Sequence, residues 1–114
     1  MTRAGPNPPP GLNQKATSKP PKRELHFVLR LYVTGDTPIS TRAIANLHAI
    51  CETHLPRRHS VEVIDVLGDA LRAMTDGILV TPTLVRLSPL PVSRIIGDLS
   101  DSTIVLQALG VEVA

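Results

Sequence analysis

The stretch LHFVLRLYV, residues 25–33, constrains the fold more than any other segment of this 114-residue chain. It is rich in the β-branched and aromatic residues that favour strands. Alternation along a strand would place Phe27, Leu29, Leu31 and Val33 on one face and Val28 and Tyr32 on the other. Because both faces are apolar, the sequence predicts a central strand that is covered from both sides.

A helix is predicted to follow this strand after a short turn. Gly35 permits the turn, Thr37 can cap the helix, and Pro38 suits the first helical position because its missing N–H donor is not needed there. Apolar residues then recur at helical spacing, at Ala43, Leu47, Ile50, Cys51 and Leu55. Pro56 is predicted to end the helix.

The second half of the chain predicts five further elements. The segment VEVIDV, 61–66, predicts a strand parallel to the first, because a helix connects the two. GDALRAMTDG, 68–77, favours a short helix. ILVTPTLVRL, 78–87, and VSRIIG, 92–97, predict a hairpin that turns at Pro89 and Pro91. In DLSDSTIVLQALG, 98–110, Asp98 and Ser100 are cap candidates for a last helix, which Gly110 would close.

These elements follow the order β-α-β-(α)-β-β-α. A parallel pair joined to an antiparallel hairpin, with helices on both faces, is the α/β arrangement of thioredoxin-like proteins. We therefore expect one thioredoxin-like domain over residues 25–114. Residues 1–24 hold six of the eleven prolines and almost no bulky apolar side chain. They are predicted to form a disordered, Pro-rich basic leader.

The charges are divided unevenly between these two parts. Residues 1–24 hold five basic residues and one acid, whereas residues 25–114 hold seven arginines and nine acids. An acidic body with only two aromatic residues is a poor partner for nucleic acids. No apolar run approaches the ~20 residues that span a bilayer, and residues 1–24 have no apolar core of a secretory signal. The sequence therefore predicts a cytoplasmic protein that binds neither nucleic acid nor membrane.

The turn after the first strand bears on thiol chemistry. In thioredoxin-like proteins this turn carries a Cys-x-x-Cys pair, but here residues 35–40 read GDTPIS. The single cysteine, Cys51, falls on the apolar stripe of the first helix, where a buried thiol packs as a small hydrophobe. Because disulfide exchange needs an accessible thiolate, the sequence predicts that the chain is not an oxidoreductase.

Other reactive groups carry weaker signals. His48, Cys51 and His54 could share a helix face and offer zinc or copper ligands, but the core position of Cys51 argues against a metal site. Asp98 and Asp101 could be considered as a catalytic pair of carboxylates, yet both lie where short carboxylates cap helices. We expect no catalytic residue, no metal and no cofactor.

The segment TPTL, 81–84, points to a binding surface. A proline that enters a strand costs a ladder hydrogen bond, and in thioredoxin-like folds the equivalent proline is cis. The residue before it presents its backbone to extended peptides or thiols. The topological match therefore predicts a cis Pro82, and a surface there would suit a peptide, glutathione or a protein partner.

Three stretches and one single residue together resemble the KaiB family of circadian-clock proteins. They are LRLYVTGDTPIS, VEVIDVL, ILVTPTLVRLSPLPVSRIIGDLSD, and the lone Arg42 on the first helix. The resemblance covers about residues 25–110. It implies a protein without catalytic activity that binds the hexameric KaiC ATPase. It also implies two interconverting packings, a thioredoxin-like monomer and a rearranged form that self-associates as a dimer or tetramer.

The resemblance also suggests which residues contact the partner. Arg42 and Arg94 match the family pattern and are the candidate contacts. Two positions depart from it, because Leu25 and Glu62 stand where basic residues are common, and Glu62 reverses a charge at an expected contact. At Ala108 the family often has glycine. Since alanine favours a helix by ~1 kcal/mol over glycine, Ala108 would favour the thioredoxin-like form.

Overall fold

The predicted central strand lies inside a four-stranded mixed sheet. The computed structural model describes residues 25–111, so the predicted leader, 1–24, lies outside the described residues. Strand β1 spans Phe27–Val33, β2 spans His59–Asp65, β3 spans Thr83–Ser88 and β4 spans Ser93–Ile96. The strand order is β2-β1-β3-β4. Strand β1 is parallel to β2 and antiparallel to β3, and β3 is antiparallel to β4.

Within residues 25–111, three helices cover this sheet. Helix α1 spans Pro38–His54, α2 spans Ala70–Thr75 and α3 spans Ser102–Leu109. The observed order of elements is the predicted β-α-β-(α)-β-β-α, which confirms the thioredoxin-like fold class. Strand β2 begins two residues earlier than predicted, at His59. Residues 78–82, predicted to be extended, instead form the loop between α2 and β3.

Strand β1 divides the core into two layers, as its alternation predicts. Phe27, Leu29, Leu31 and Val33 lie in a large apolar cluster with side chains of α1 and α3. On the opposite face, Tyr32 packs with Ile64, Val85 and Ala73 of α2. We call these the α1/α3 face and the α2 face. The prediction of a strand covered from both sides is confirmed.

The helix ends follow the capping chemistry of the sequence in part. Thr37 caps α1 by accepting a hydrogen bond from the Ser40 N–H, and α1 ends at His54, two residues before Pro56. Gly110 closes α3 in the left-handed conformation, with φ of 78°. Of the candidates for the α3 cap, Asp98 and Ser100 are wrong, whereas Asp101, which also lies where a short carboxylate can cap a helix, is the cap.

A buried arginine fastens α3 to the sheet. Arg86 of β3 is more than nine-tenths buried. Its Nη1 donates to the carbonyl of Leu109 at the end of α3, and its Nη2 donates to the carbonyl of Pro91 at 2.6 Å. The negative end of the α3 dipole favours a cation at this place. Arg86 therefore joins the last helix to the β3–β4 hairpin.

Candidate functional site

The carboxyl end of β1 is the place where a thioredoxin-like fold carries its reactive groups, and here it carries hydroxyl groups. Thr37 Oγ1 donates to Ser40 Oγ at 2.8 Å, and Ser40 Oγ also accepts from the Thr34 N–H at 3.1 Å. Thr34 Oγ1 and Thr81 Oγ1 share a short hydrogen bond. These groups bind one another and the backbone. No histidine or carboxylate among residues 25–111 is hydrogen-bonded to them.

The only thiol of the chain is remote from this end of the sheet and unreactive. Cys51 is fully buried on α1. Burial, and to a lesser extent the charge of Glu52, raises the pKa of the Cys51 thiol to about 11. At neutral pH it stays protonated, and a protonated thiol is a poor nucleophile and ligand. The prediction that Cys51 packs in the core is confirmed. In the described part of the chain, no three side chains are grouped to hold a metal ion.

Two turns are held together beside the hydroxyl groups of Thr34, Thr37, Ser40 and Thr81. Gly35 has a φ of 53°, in the left-handed region that glycine tolerates. The Asp65 carboxylate accepts from the N–H of Gly35 at 3.0 Å and from the N–H of Leu67 at 2.9 Å. These two backbone donors hold the pKa of Asp65 below its usual range. The β1–α1 turn and the β2–α2 turn therefore lie at a fixed spacing.

A groove lies between α2 and the loop that leads to Pro82. The Thr81–Pro82 peptide bond is cis, and the Pro82 carbonyl accepts from the Gly97 N–H at 3.0 Å. The groove has a volume of about 230 Å³. Its walls come from both turns, α2 and the loop: Thr34, Val66, Ala73, Ile78, Leu79, Val80 and Thr81. Its lining combines apolar side chains with the hydroxyls of Thr34 and Thr81, which suits an extended peptide segment with both apolar and polar groups.

The two candidate contact arginines lie on opposite sides of the sheet. Arg42, on α1, pairs with the Asp98 carboxylate at 3.3 Å and is more than half exposed. Hydrogen bonding by Ser100 and then by Arg42 lowers the pKa of Asp98. Arg94, on β4, instead donates to the carbonyls of Asp76 and Gly77 at the end of α2. The structure therefore does not bring Arg42 and Arg94 together into one site.

Glu62, which departs from the family pattern, has partners within the chain. Its carboxylate accepts from Arg72 of α2 at 2.8 and 2.9 Å and from Arg30 of β1 at 3.3 Å. Hydrogen bonding by Arg72 is the main reason that the pKa of Glu62 falls to about 2. Leu25, the other departure, packs against the large apolar cluster.

The sequence did not predict that the outer side of α2 exposes large apolar side chains. Leu67, Leu71 and Met74 are exposed although they are large and apolar. Their spacing of four and three residues is visible in the sequence. It would however predict a buried stripe, because an amphipathic helix normally turns such a stripe toward the core. Only the structure shows that this one faces outward.

The fold and the site define a thioredoxin-like protein without a thiol at the carboxyl end of β1. Solved structures of that fold match the chain. The N-terminal domain of Synechococcus elongatus SasA matches with a TM-score of 0.64 at 23% identity, covering 90% of this chain and 94% of that one. Mitochondrial thioredoxin 3 of Saccharomyces cerevisiae matches with a TM-score of 0.61 at 12% identity, covering 78% and 81%. None of the helices within residues 25–111 has the length and apolar character of a membrane span.

The family follows from the sequence comparisons. The KaiB domain model matches residues 30–111. The circadian clock protein KaiB3 of Synechocystis is 48% identical over 85 residues, which are 75% of this chain and 83% of that protein. The circadian clock oscillator protein KaiB of Synechococcus elongatus is 49% identical over 83 residues, covering 73% and 81%. The chain belongs to the KaiB family of circadian clock proteins, as its motifs predicted.

Proposed function

We propose that this chain is a non-enzymatic regulator that binds a hexameric KaiC-type ATPase. It would modulate the phosphorylation state or the output of that ATPase in a circadian clock or a related timing system. Membership of the KaiB family is the observation that carries the proposal. Two further features support the absence of catalysis: the hydroxyls at the carboxyl end of β1 bind one another, and the Cys51 thiol stays protonated. A lone buried cysteine fits the reducing cytoplasm, where we place the complex.

Arg42 is the stronger of the two candidate contacts. Its guanidinium is exposed, and its ion pair with Asp98 lies at the surface, where such a pair contributes only ~0–1 kcal/mol. A carboxylate of a partner can therefore replace Asp98 at little cost. Arg94 is already bound to the end of α2, and its contribution to binding would depend on holding that end in place.

The direct test is complex formation with the KaiC homologue of the same organism. The full chain is incubated with the ATPase for several hours in ATP or ADP and then analysed by size-exclusion chromatography. We expect a complex at micromolar concentration. Arg42→Ala should weaken it about fivefold, the equivalent of ~1 kcal/mol for one charged contact at an interface border.

The variant Asp98→Asn is the matched control for Arg42. It breaks the internal ion pair but leaves the guanidinium available, so binding should be unchanged or tighter. Equal weakening by Asp98→Asn and Arg42→Ala would show that the internal pair matters and the contact does not. Absence of any complex with the wild-type chain, in either nucleotide, would contradict the proposed function.

A second candidate function is the binding of a thiol or peptide ligand beside Pro82. The observation that favours it is the groove of about 230 Å³ along residues 78–81. Titration with glutathione, followed through amide chemical shifts, distinguishes the two functions. Shifts at Thr81 and in the 35–40 turn would support the ligand, whereas unchanged spectra at millimolar glutathione would exclude that thiol.

The family resemblance also implies a second, self-associating packing, and we propose that the described thioredoxin-like packing is the one that binds the ATPase. Ala108 lies inside α3 and is exposed. There, alanine stabilises the helix by ~1 kcal/mol relative to glycine. Helical amide shifts for residues 102–109 would show that the described packing is populated in solution.

A further inference from the structure

A short basic motif lies at the start of β2 and has no role in the proposed function. Residues 57–61 read RRHSV. Ser60 is the only serine or threonine of the chain that has arginines both two and three positions before it. Protein kinases distinguish their substrates partly by the pattern of charges around the acceptor hydroxyl. Paired arginines at these two positions favour a kinase whose peptide-binding groove is acidic.

The fold leaves this segment accessible. Ser60 is exposed, and Arg57 and Arg58 precede β2 in a turn. Strand β2 is at the edge of the sheet, with β1 as its neighbour on one side only. Release of residues 57–61 would leave the β1–β2 pairs from Glu62 to Asp65 in place. Because the ends of edge strands open at a low free energy, a kinase can bind this segment without unfolding the sheet.

The Ser60 hydroxyl lies beside a histidine ring. His26 Nε2 and Ser60 Oγ share a hydrogen bond of 2.7 Å, and both side chains are exposed. In the described part of the chain, no further group is hydrogen-bonded to the His26 ring. The pair therefore lacks the third member that orients the base in catalytic triads. This geometry suits a hydroxyl that another enzyme modifies, and not a nucleophile of this chain's own.

The charges around Ser60 are suited to hold a phosphate. Arg57 is exposed and forms no ion pair with a carboxylate of residues 25–111. Glu62 lies two residues along β2 on the same face, but its carboxylate is already paired with two arginines. A phosphoserine adds a charge of about −1.5 to −2 and three acceptor oxygens. The His26 ring on β1 and the Arg57 guanidinium in the turn offer donors to these oxygens.

We propose that Ser60 is a phosphorylation site for a serine/threonine kinase that recognises arginines two and three residues before its acceptor. In this step Ser60 Oγ forms a bond to the γ-phosphorus of ATP, and the bond from that phosphorus to the bridging oxygen breaks. ADP leaves, and the hydroxyl proton passes to the base of the kinase. The phosphate then joins the start of β1 to the α1–β2 turn. The inference goes beyond the proposed function and does not depend on it.

The test uses the full, folded chain with ATP and the catalytic subunit of a cyclic-AMP-dependent protein kinase, as a kinase of this specificity. We expect one phosphate per chain, located at Ser60 by peptide mass spectrometry, and none in Ser60→Ala. Arg57→Gln/Arg58→Gln keeps the hydroxyl but should slow incorporation at least about tenfold, because two charged contacts with the kinase are lost. The matched control is Thr75→Ala, which removes an exposed threonine with a single arginine three residues earlier and should change nothing. Circular dichroism checks that each variant is folded.

The contacts of the phosphate give a second arm of the test. At low salt, the phosphorylated chain should unfold at a higher urea concentration than the unmodified chain. The gain should shrink at high salt, because salt screens exposed charges. His26→Gln, which removes one of the two expected donors, should reduce the gain. A phosphorylated chain that is less stable than the unmodified one would show that these side chains do not hold the phosphate.

Three results would overturn the site itself. Phosphorylation of a synthetic peptide of residues 54–64, without phosphorylation of the folded chain, would show that the fold withholds the hydroxyl. Incorporation that survives in Ser60→Ala would place the acceptor elsewhere. An unchanged rate in Arg57→Gln/Arg58→Gln would show that the arginines do not direct the kinase. None of these results bears on whether the unmodified chain binds the ATPase.

Discussion

The two faces of the sheet differ in what stabilises them. Among the described residues, fourteen buried apolar side chains form the α1/α3 face, whereas four form the α2 face. The α2 face relies instead on the charged groups that join Arg30, Glu62, Arg72 and Asp76. The comparison teaches that burial of apolar side chains on the α1/α3 face supplies most of the hydrophobic stability, whereas the α2 face depends more on charged contacts.

The largest expected effect comes from truncating a leucine that is buried in the α1/α3 face, and the matched control truncates a leucine that is exposed on the outer side of α2. Leu47 of α1 is buried in the α1/α3 face, and Leu71 of α2 is exposed. Leu47→Ala should lower the free energy of unfolding by about 2–5 kcal/mol, because it removes buried methyl groups and leaves a cavity. Leu71→Ala should change it by less than about 0.5 kcal/mol. Urea unfolding measures both, and equal losses would show that burial in the α1/α3 face is not the main source of stability.

A smaller effect is expected at the buried cation of the α1/α3 face. Arg86→Met retains apolar bulk but leaves the Leu109 and Pro91 carbonyls without their donor. Unsatisfied buried acceptors cost about 1–3 kcal/mol, so the free energy of unfolding should fall by about that amount. Arg86→Lys, which keeps the charge but cannot donate as a fork, should recover part of the loss. A fully stable Arg86→Met variant would show that Arg86 does not fasten α3.

The smallest effect concerns the charged groups of the α2 face and depends on pH. The folded pKa of Glu62, about 2, is lower than its ordinary value of 4.5. Its contribution to stability is therefore present above pH 4.5 and is lost as the pH falls toward 2. Because Glu62 is exposed, the contribution is small. In melting curves between pH 6 and pH 2, Glu62→Gln should start slightly less stable than wild type and converge with it in acid.

Local patterns predicted most of the fold. The alternation in β1 depends only on neighbouring residues, so it correctly placed Tyr32 on one face and Leu31 on the other. The sequence did not decide between the α3 cap candidates, because several carboxylates and hydroxyls lie within four residues. The structure resolves the choice through a distant contact, since Asp98 is engaged by Arg42, 56 residues earlier in the chain.

The candidate site was less predictable, because its groups meet only in the folded chain. Arg94 reaches carbonyls 17 and 18 residues away, and Glu62 binds arginines on two other elements. No local signal in the sequence encodes these pairings. The exposure of Leu71 and Met74 could not be predicted from the sequence for a different reason. Helix α2 has only six residues, and so short a helix covers too little of the sheet to bury two sides.

The hydrogen bonds of Arg86 to the end of α3 and to the β3–β4 hairpin have a consequence for how this part of the domain unfolds. The last turn of that helix is held by a side chain from a strand, and the same side chain holds the bend of the hairpin. Detachment of either piece would leave one Arg86 donor without its acceptor. We therefore expect the last helix and the hairpin to loosen together rather than independently.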